Sequence, residues 1–288
     1  MKNVGKSGLM KFRVALDSGG ELTPELEGRE EFVSVPLMLM VNGVHIVDDG
    51  HISQKEMVER IAQDPDCPKT ACPSPEAYYK AFDCGAERVY AVTLSAALSG
   101  SYQSACVAKA MFLEDHPDAK VHVFNSISAS VGEGLTVLKI AELEEKGLPF
   151  EEIVRQTEAY VHSKQTFFVL DDLETLRKNG RLSGMKALAA AVLKIKPICY
   201  GTDEGAIGQL DQARGMGKAI VKMVSYIVDR TPDPGNRILG IGYCNCLDRA
   251  EIVRDEILKR MHVRDVVMLP TGGLSTIYAN DGGIIVAI

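Results

Sequence analysis

The sequence predicts an α/β fold of two domains. The N-terminal domain is a mostly parallel sheet with flanking helices, and the C-terminal domain is a mixed or antiparallel sheet with helices. Three observations carry this. Short apolar runs alternate with helix-period segments through the first half, the rhythm of a sheet covered on both faces. The second half contains a hairpin pattern, Ile198 to Tyr200 and Ala206 to Leu210 around a Gly/Asp turn, which a purely parallel sheet does not use. A length of 288 residues favours two cores over one. The boundary is expected near Val161, which divides the chain into 1–160 and 161–288.

Phe12 to Leu16 reads as a strand that runs into the polar turn Asp17-Ser18-Gly19-Gly20. Phe32 to Val41 is apolar and β-rich and closes at Asn42-Gly43, a strong turn dipeptide. Ile52 to Ala62 has helical period behind Ser53, an N-cap candidate. The Pro-rich stretch Asp64 to Pro75 is expected to be an irregular loop, with Ser74 or Pro75 opening a helix through Phe82. Val89 to Leu94 is a buried strand, Gly100 to Glu114 a helix and Val121 to Phe124 another strand. The acidic helix Leu135 to Lys146 and the segment Pro149 to Ser163 bridge the halves. Beyond them, Thr166 to Leu170 is a strand, and the short helix Leu173 to Lys178 stops at Asn179-Gly180. Leu182 to Ile195 is an Ala/Leu-rich helix. Gly217 to Asp229 and Arg249 to His262 are amphipathic helices separated by the strand Ile238 to Tyr243, whose alternation runs on through Cys244 and Cys246. Val266 to Leu269 and Ile284 to Ile288 complete the strands.

Composition removes several classes of function. A net charge of −7 disfavours a nucleic-acid-binding surface, which needs a basic face. The apolar fraction of 46% is ordinary for a globular protein, and no apolar run approaches the ~20 residues of a membrane span. The N-terminal residues carry no long apolar core of a signal peptide, so a cytoplasmic protein is expected. Seven cysteines without regular spacing read as reduced thiols, and neither Cys67/Cys72 nor Cys244/Cys246 has the spacing of a zinc site. No metal or cofactor is expected. Gly5-Lys6-Ser7 mimics the end of a P-loop without its glycine or its strand. Gly215-x-Gly217 lacks the third glycine of a dinucleotide fingerprint, and Gly180-Arg181-Leu182-Ser183-Gly184 has its serine out of register for a nucleophile elbow.

The segment richest in binding-type groups is Thr93 to Ala105, TLSAALSGSYQSA. A strand breaks into a hydroxyl-bearing turn and then a helix start, an arrangement that presents N–H groups and hydroxyls to an anion. Ser95, Ser99 and Ser101 supply hydroxyls, Gly100 permits close backbone approach, and no basic side chain sits among them. That combination suits a small head group such as a carboxylate better than a polyphosphate. A Ser-rich N-cap without a ligand is the plain alternative. A serine nucleophile at Ser95 or Ser99, acting in acyl transfer or hydrolysis, is the enzymatic one.

The ordered motifs resemble the DegV family over nearly the whole chain. Asp17-Ser18 with Leu22-Thr23-Pro24 looks like the family's opening, and Val35-Pro36-Leu37 and Asp48-Asp49 with Ile52-Ser53 follow in order. Thr70 to Pro75 is similar to its T-S-Q-P-S-P loop, and Leu94 to Ala105 to its L-S-S-x-L-S-G-T-Y-Q-S-A segment. Leu173 to Ser183 resembles L-E-Y-L-K-K-G-G-R-I-S, and Leu193 to Ile198 resembles L-N-I-K-P-I. There are departures: Tyr278 stands where a histidine is usual, Cys72 replaces a glutamine and Ala96 a serine.

The resemblance implies a fatty-acid-binding protein, similar to the B subunit of bacterial fatty acid kinase, with no catalysis of its own. The carboxylate would be held by Thr70, Ser95, the Ser99/Gly100 turn and Tyr278, with the acyl tail in an apolar tunnel. It implies that Arg181 is exposed and helps a kinase partner handle the carboxylate or acyl phosphate; a cation at a helix C-terminus is the simpler account. The implied partners are a long-chain fatty acid and an ATP-dependent kinase subunit, with transient contact with a membrane surface and onward passage to phospholipid synthesis. A carrier of a different amphiphile is the reading that Tyr278 leaves open.

Overall fold

The computed structural model describes residues 10–182 and 194–288. The expected helix over Leu182 to Ile195 falls almost wholly on 183–193, outside the described residues, as do Gly5-Lys6-Ser7 and Ser183-Gly184.

In chain order the elements begin with β1 (Arg13–Asp17), β2 (Phe32–Val35), β3 (Met38–Val41), β4 (Val44–Val47) and α1 (Gln54–Ala62). They continue through β5 (Lys69–Ala71), α2 (Pro75–Phe82), β6 (Arg88–Thr93), α3 (Ser101–Asp115), β7 (Lys120–Asn125), α4 (Val131–Glu145) and α5 (Phe150–Ser163). The second half contributes β8 (Thr166–Val169), α6 (Glu174–Lys178), β9 (Ile195–Gly201), β10 (Ile207–Arg214) and α7 (Met216–Arg230). It ends with β11 (Ile238–Tyr243), α8 (Leu247–Leu258), β12 (Asp265–Pro270), α9 (Gly273–Ala279) and β13 (Ile284–Ala287).

Two main sheets result. The first, in the order β2-β1-β6-β7, is parallel throughout. Its central strands are buried along almost their whole length, as a sheet covered on both faces requires. The second, β10-β9-β8-β13-β11-β12, is antiparallel except for the β11–β12 pair. The α/β fold with two domains is therefore as the alternation predicted, including the β9–β10 hairpin. The caps fall where side-chain chemistry puts them: Ser53 Oγ accepts from Glu56 N, and Ser74 Oγ accepts from Ala77 N with Pro75 at the first helical position.

Two local expectations change. The run Phe32 to Val41 is two strands, because Pro36 cannot donate to a ladder and the chain turns there into a different sheet. That small sheet, β4-β3-β5, recruits Lys69–Ala71 from the Pro-rich stretch, so the stretch is not wholly irregular. The strand Ile238 to Tyr243 is as expected, and its alternation does not carry the ladder on to Cys246, since Asn245 adopts φ 52°. Helix α9, which carries Tyr278, was not anticipated.

Helix α4 is the joint of the molecule. It starts four residues before the expected Leu135 and is buried on nearly every side, because it packs against β1 and β6 on one side and β11 and β13 on the other. Gly240 of β11 makes the approach possible: a methyl group there would sit 2.8 Å from Val131 Cγ2. Behind the first turn of α4 lie buried carboxyls. Asp17 accepts from Leu94 N at 2.9 Å and Gly19 N at 3.0 Å, while burial raises its pKa. The Glu133 carboxyl oxygens have no hydrogen-bond partner among the described residues; burial, and then the charge of Asp17, push its pKa well above the usual carboxyl range.

Candidate functional site

A cavity lies between the two main sheets, with about 880 Å³ of unfilled space, its open mouth included. Its floor is one face of the second sheet. Thr166 and Phe168 of β8 and Leu170 just past its end alternate and all line the cavity, and Ile285 of β13 stands beside Phe168. From Thr166 to Leu170 the floor runs about 13 Å. The roof is built by loops that follow the carboxyl ends of β1, β6 and β7, the position where open α/β sheets bind ligands. Leu274 and Tyr278 of α9 close a side.

The two ends differ. Near Leu170 the wall carries Thr70, Ser99, Arg181 and Tyr278. Thr70 Oγ1 and Tyr278 Oη lie 3.0 Å apart, and the Arg181 guanidinium sits 5.9 Å from the centre of the Tyr278 ring. Arg181 Nε donates to Leu98 O at 3.2 Å and Nη1 to Asn179 O at 2.6 Å; Nη2 makes no hydrogen bond among the described residues. Arg181 is the one charged side chain among the described residues of the wall. Near Thr166 the wall is also hydroxylated, but its hydroxyls are satisfied within the protein. Ser128 Oγ and Thr166 Oγ1 are 2.7 Å apart, and Ser130 Oγ donates to Glu21 Oε2 at 2.8 Å. The rest of the lining is mostly aliphatic or aromatic, with Ser275, whose hydroxyl donates to Gly19 O at 3.1 Å.

The structure therefore brings Thr70, Ser99, Tyr278 and Arg181 together, from segments far apart in sequence. It does not bring Ser95 or Gly100 to the wall. Ser95 is fully buried, and its hydroxyl donates to Gly205 O at 2.8 Å, pinning the β9–β10 hairpin. Gly100 is the N-cap of α3 and packs against Cys72, where a methyl group would approach Sγ to 3.1 Å. Arg181 differs from its expected exposed position: it is half-buried, because its guanidinium satisfies two carbonyls and leans on Tyr278. Sequence reasoning missed Ser128, Ser130, Thr166 and Ser275. The alternation of Thr166, Phe168 and Leu170 was visible, but nothing local said which face of the strand held the cavity.

Among the described residues no histidine lines the cavity, and Ser99 Oγ is 3.0 Å from Ser101 Oγ rather than beside a base. Also among the described residues, no group of histidine, cysteine and carboxylate side chains could hold a metal ion, and no helix is long and apolar enough to cross a membrane.

Known proteins resemble this chain along nearly its whole length. The model of the DegV family, described as an uncharacterised protein of that family, matches residues 11–288. A DegV family protein of Ruminococcus gnavus, solved with vaccenic acid, is 46% identical over 97% of this chain and 99% of its own, with a TM-score of 0.94. The fatty acid kinase B3 protein of Streptococcus pneumoniae, solved loaded with linoleic acid, is 33% identical over 96% of this chain and 99% of its own, with a TM-score of 0.88. A DegV domain-containing protein of Streptococcus pneumoniae strain R6 is 35% identical over 283 residues, 96% of this chain and 98% of the relative. With a family match over almost every residue and relatives alike from end to end, the chain belongs to the DegV family.

Proposed function

We propose that this protein carries one long-chain fatty acid and presents its carboxylate to a separate ATP-dependent kinase. The carboxylate lies at Arg181, Tyr278, Thr70 and Ser99, and the acyl chain runs along β8 toward Thr166. One observation carries the reading: an apolar cavity whose described wall holds a single cation, placed at one end beside two hydroxyls. The similarity to proteins solved with vaccenic and linoleic acid supports it, and the likeness to a fatty acid kinase B protein supports the kinase as partner.

The energetics fit the division of labour. Burying about fourteen methylenes at ~0.8 kcal/mol each gives roughly 11 kcal/mol before association and ordering take back several kcal/mol. The tail supplies affinity. The head group supplies orientation, because a desolvated carboxylate without donors costs several kcal/mol. The protein does no chemistry on the acid in this scheme: the described residues of the wall offer donors and no base, and the acyl phosphate forms on the partner. Native mass spectrometry and organic extraction of freshly purified protein test the proposal. An acyl lipid released at one per chain is expected, with added palmitic acid raising the melting temperature of stripped protein. Protein that yields no acyl lipid, and that neither binds nor is stabilised by palmitic or oleic acid, overturns it.

A further inference from the structure

We infer that Ile127 is the chain-length stop of the cavity, a strained residue that separates the acyl channel from a second, polar cavity. The inference rests on the fatty-acid reading above. Ile127 has φ 53°, in the left-handed region that a β-branched side chain seldom enters. Such a conformation persists only where the surroundings impose it, and it points to a functional constraint.

The surroundings here are explicit. Ile127 follows β7 in a loop tied on both sides: Ser126 N donates to Thr93 O at 3.1 Å, and Ser95 N donates to Ser128 O at 2.9 Å. Asn125 Oδ1 accepts from Ile127 N at 3.3 Å. The side chain is wedged against the hairpin, where a methyl group on Gly205 would lie 3.2 Å from Ile127 Cγ2 and would also collide with Ser95 Oγ. Gly205 has φ 80°, so a glycine both permits the turn and leaves room for the wedge. The Ser95 hydroxyl holds that turn in place through Gly205 O.

Ile127, Thr166 and Gly201 line the acyl cavity, and the same three line a second cavity of about 940 Å³, mouth included. That cavity is polar and is walled by His162, Lys164, Gln165, Arg230 and Asp203. Lys164 turns its ammonium away to Gly132 O and Thr136 Oγ1, and the Arg230 guanidinium lies 5.8 Å from the centre of the Tyr200 ring. These three residues thus face both cavities and form the partition between them. Thr166 and Gly201 are fixed in the sheet, and Thr166 is further held by Ser128, which leaves Ile127 as the side chain that fills the gap. A methyl terminus that fits below Ile127 stays in apolar surroundings. A longer chain has to displace Ile127 and carry its last methylenes among charged groups and water, which forfeits the gain from burying them.

Binding of palmitic, stearic and behenic acids to the stripped wild type, Ile127→Gly and Ile127→Ala proteins tests the stop. Glycine accepts the φ without strain and removes the side chain, whereas alanine removes the side chain and keeps the strain. Wild type is expected to bind behenic acid much more weakly than palmitic acid. Both variants should gain about tenfold for behenic acid relative to palmitic acid. A wild-type protein that binds the three acids alike, or variants that keep the wild-type order of preference, overturns the role of Ile127. Failure of every acid to bind wild type would instead overturn the fatty-acid reading.

Discussion

Thr70 and Tyr278 stand 208 positions apart and meet at 3.0 Å, so the polar end of the cavity exists only in the folded chain. Arg181 completes it, and its exchange for Met should remove the charge while keeping much of the side-chain packing. Palmitic acid affinity is expected to fall by about 1.5–3 kcal/mol, the range for a hydrogen bond to a charged group, while hexadecanol affinity changes little. Calorimetry with both ligands separates the outcomes, and equal losses would place Arg181 in packing alone. Tyr278→Phe should cost about 1 kcal/mol for the acid, because a phenol gives up a single donor. Ser95→Ala is expected to behave differently. It breaks a buried bond to Gly205 and should lower stability to urea by about 1 kcal/mol, with the acid and the alcohol weakened alike. Of the residues that line the polar end, the Ser99 hydroxyl was legible in its own segment, and Thr70, Arg181 and Tyr278 only through the family resemblance. That Ser95 is spent within the protein was not, because its acceptor lies 110 positions along the chain.

At the level of elements, Glu21 ties two helix starts together. Its carboxylate accepts from Gly272 N, at the N-cap of α9, at 3.0 Å and from Ser130 Oγ, just before α4, at 2.8 Å. Burial nevertheless pushes its pKa up from 4.5 to about 6. The folded state therefore favours the neutral acid, binding more protons than the unfolded chain between pH 4.5 and about 6. Its contribution is greatest below pH 4.5 and is lost as pH rises to about 6, a change of about 2 kcal/mol. Glu21→Gln should remove that part of the pH dependence. Urea titrations at a series of pH values should show the two proteins' stability difference moving in the variant's favour by this amount across the window. A constant difference would show that Glu21 titrates normally. The elements themselves were largely readable, since β1, β6, β7, β8 and β13 are apolar runs and α1 and α2 announce themselves by Ser53 and Ser74. The break at Pro36 and the short β5 were not, because a three-residue strand takes its identity from the partner it pairs with, Leu39 beside Thr70. Helix α9 escaped notice because its seven residues, GLSTIYA, have no side-chain cap.

For the whole molecule, the two sheets are joined by more than a linker. Val131 and Leu135 of α4 are buried with Leu269 and Ala287 of the second half, while Val137 and Ile140 of the same helix are buried with Val14, Tyr90 and Phe124 of the first. A single helix thus completes both cores, and the cavity between the sheets draws its walls from both. A cut near residue 161 would leave α4 with the first half, one of its faces uncovered, and would leave β11 and β13 of the second half without their cover. Each fragment exposes a contiguous apolar surface of the kind that drives association. Fragments 1–160 and 161–288 made separately are therefore expected to aggregate or remain molten. Made together, they should assemble into a complex with the circular dichroism of the intact chain. In the proposed binding mode the acid contacts both halves, so it should bind the complex and neither fragment, stabilising the pair by about 2.7 kcal/mol at a concentration one hundred times its dissociation constant. Denaturant titration of the co-purified fragments with and without palmitic acid measures this directly. A first fragment that unfolds cooperatively on its own, or a pair that palmitic acid leaves unchanged, would show that α4 does not couple the two sheets.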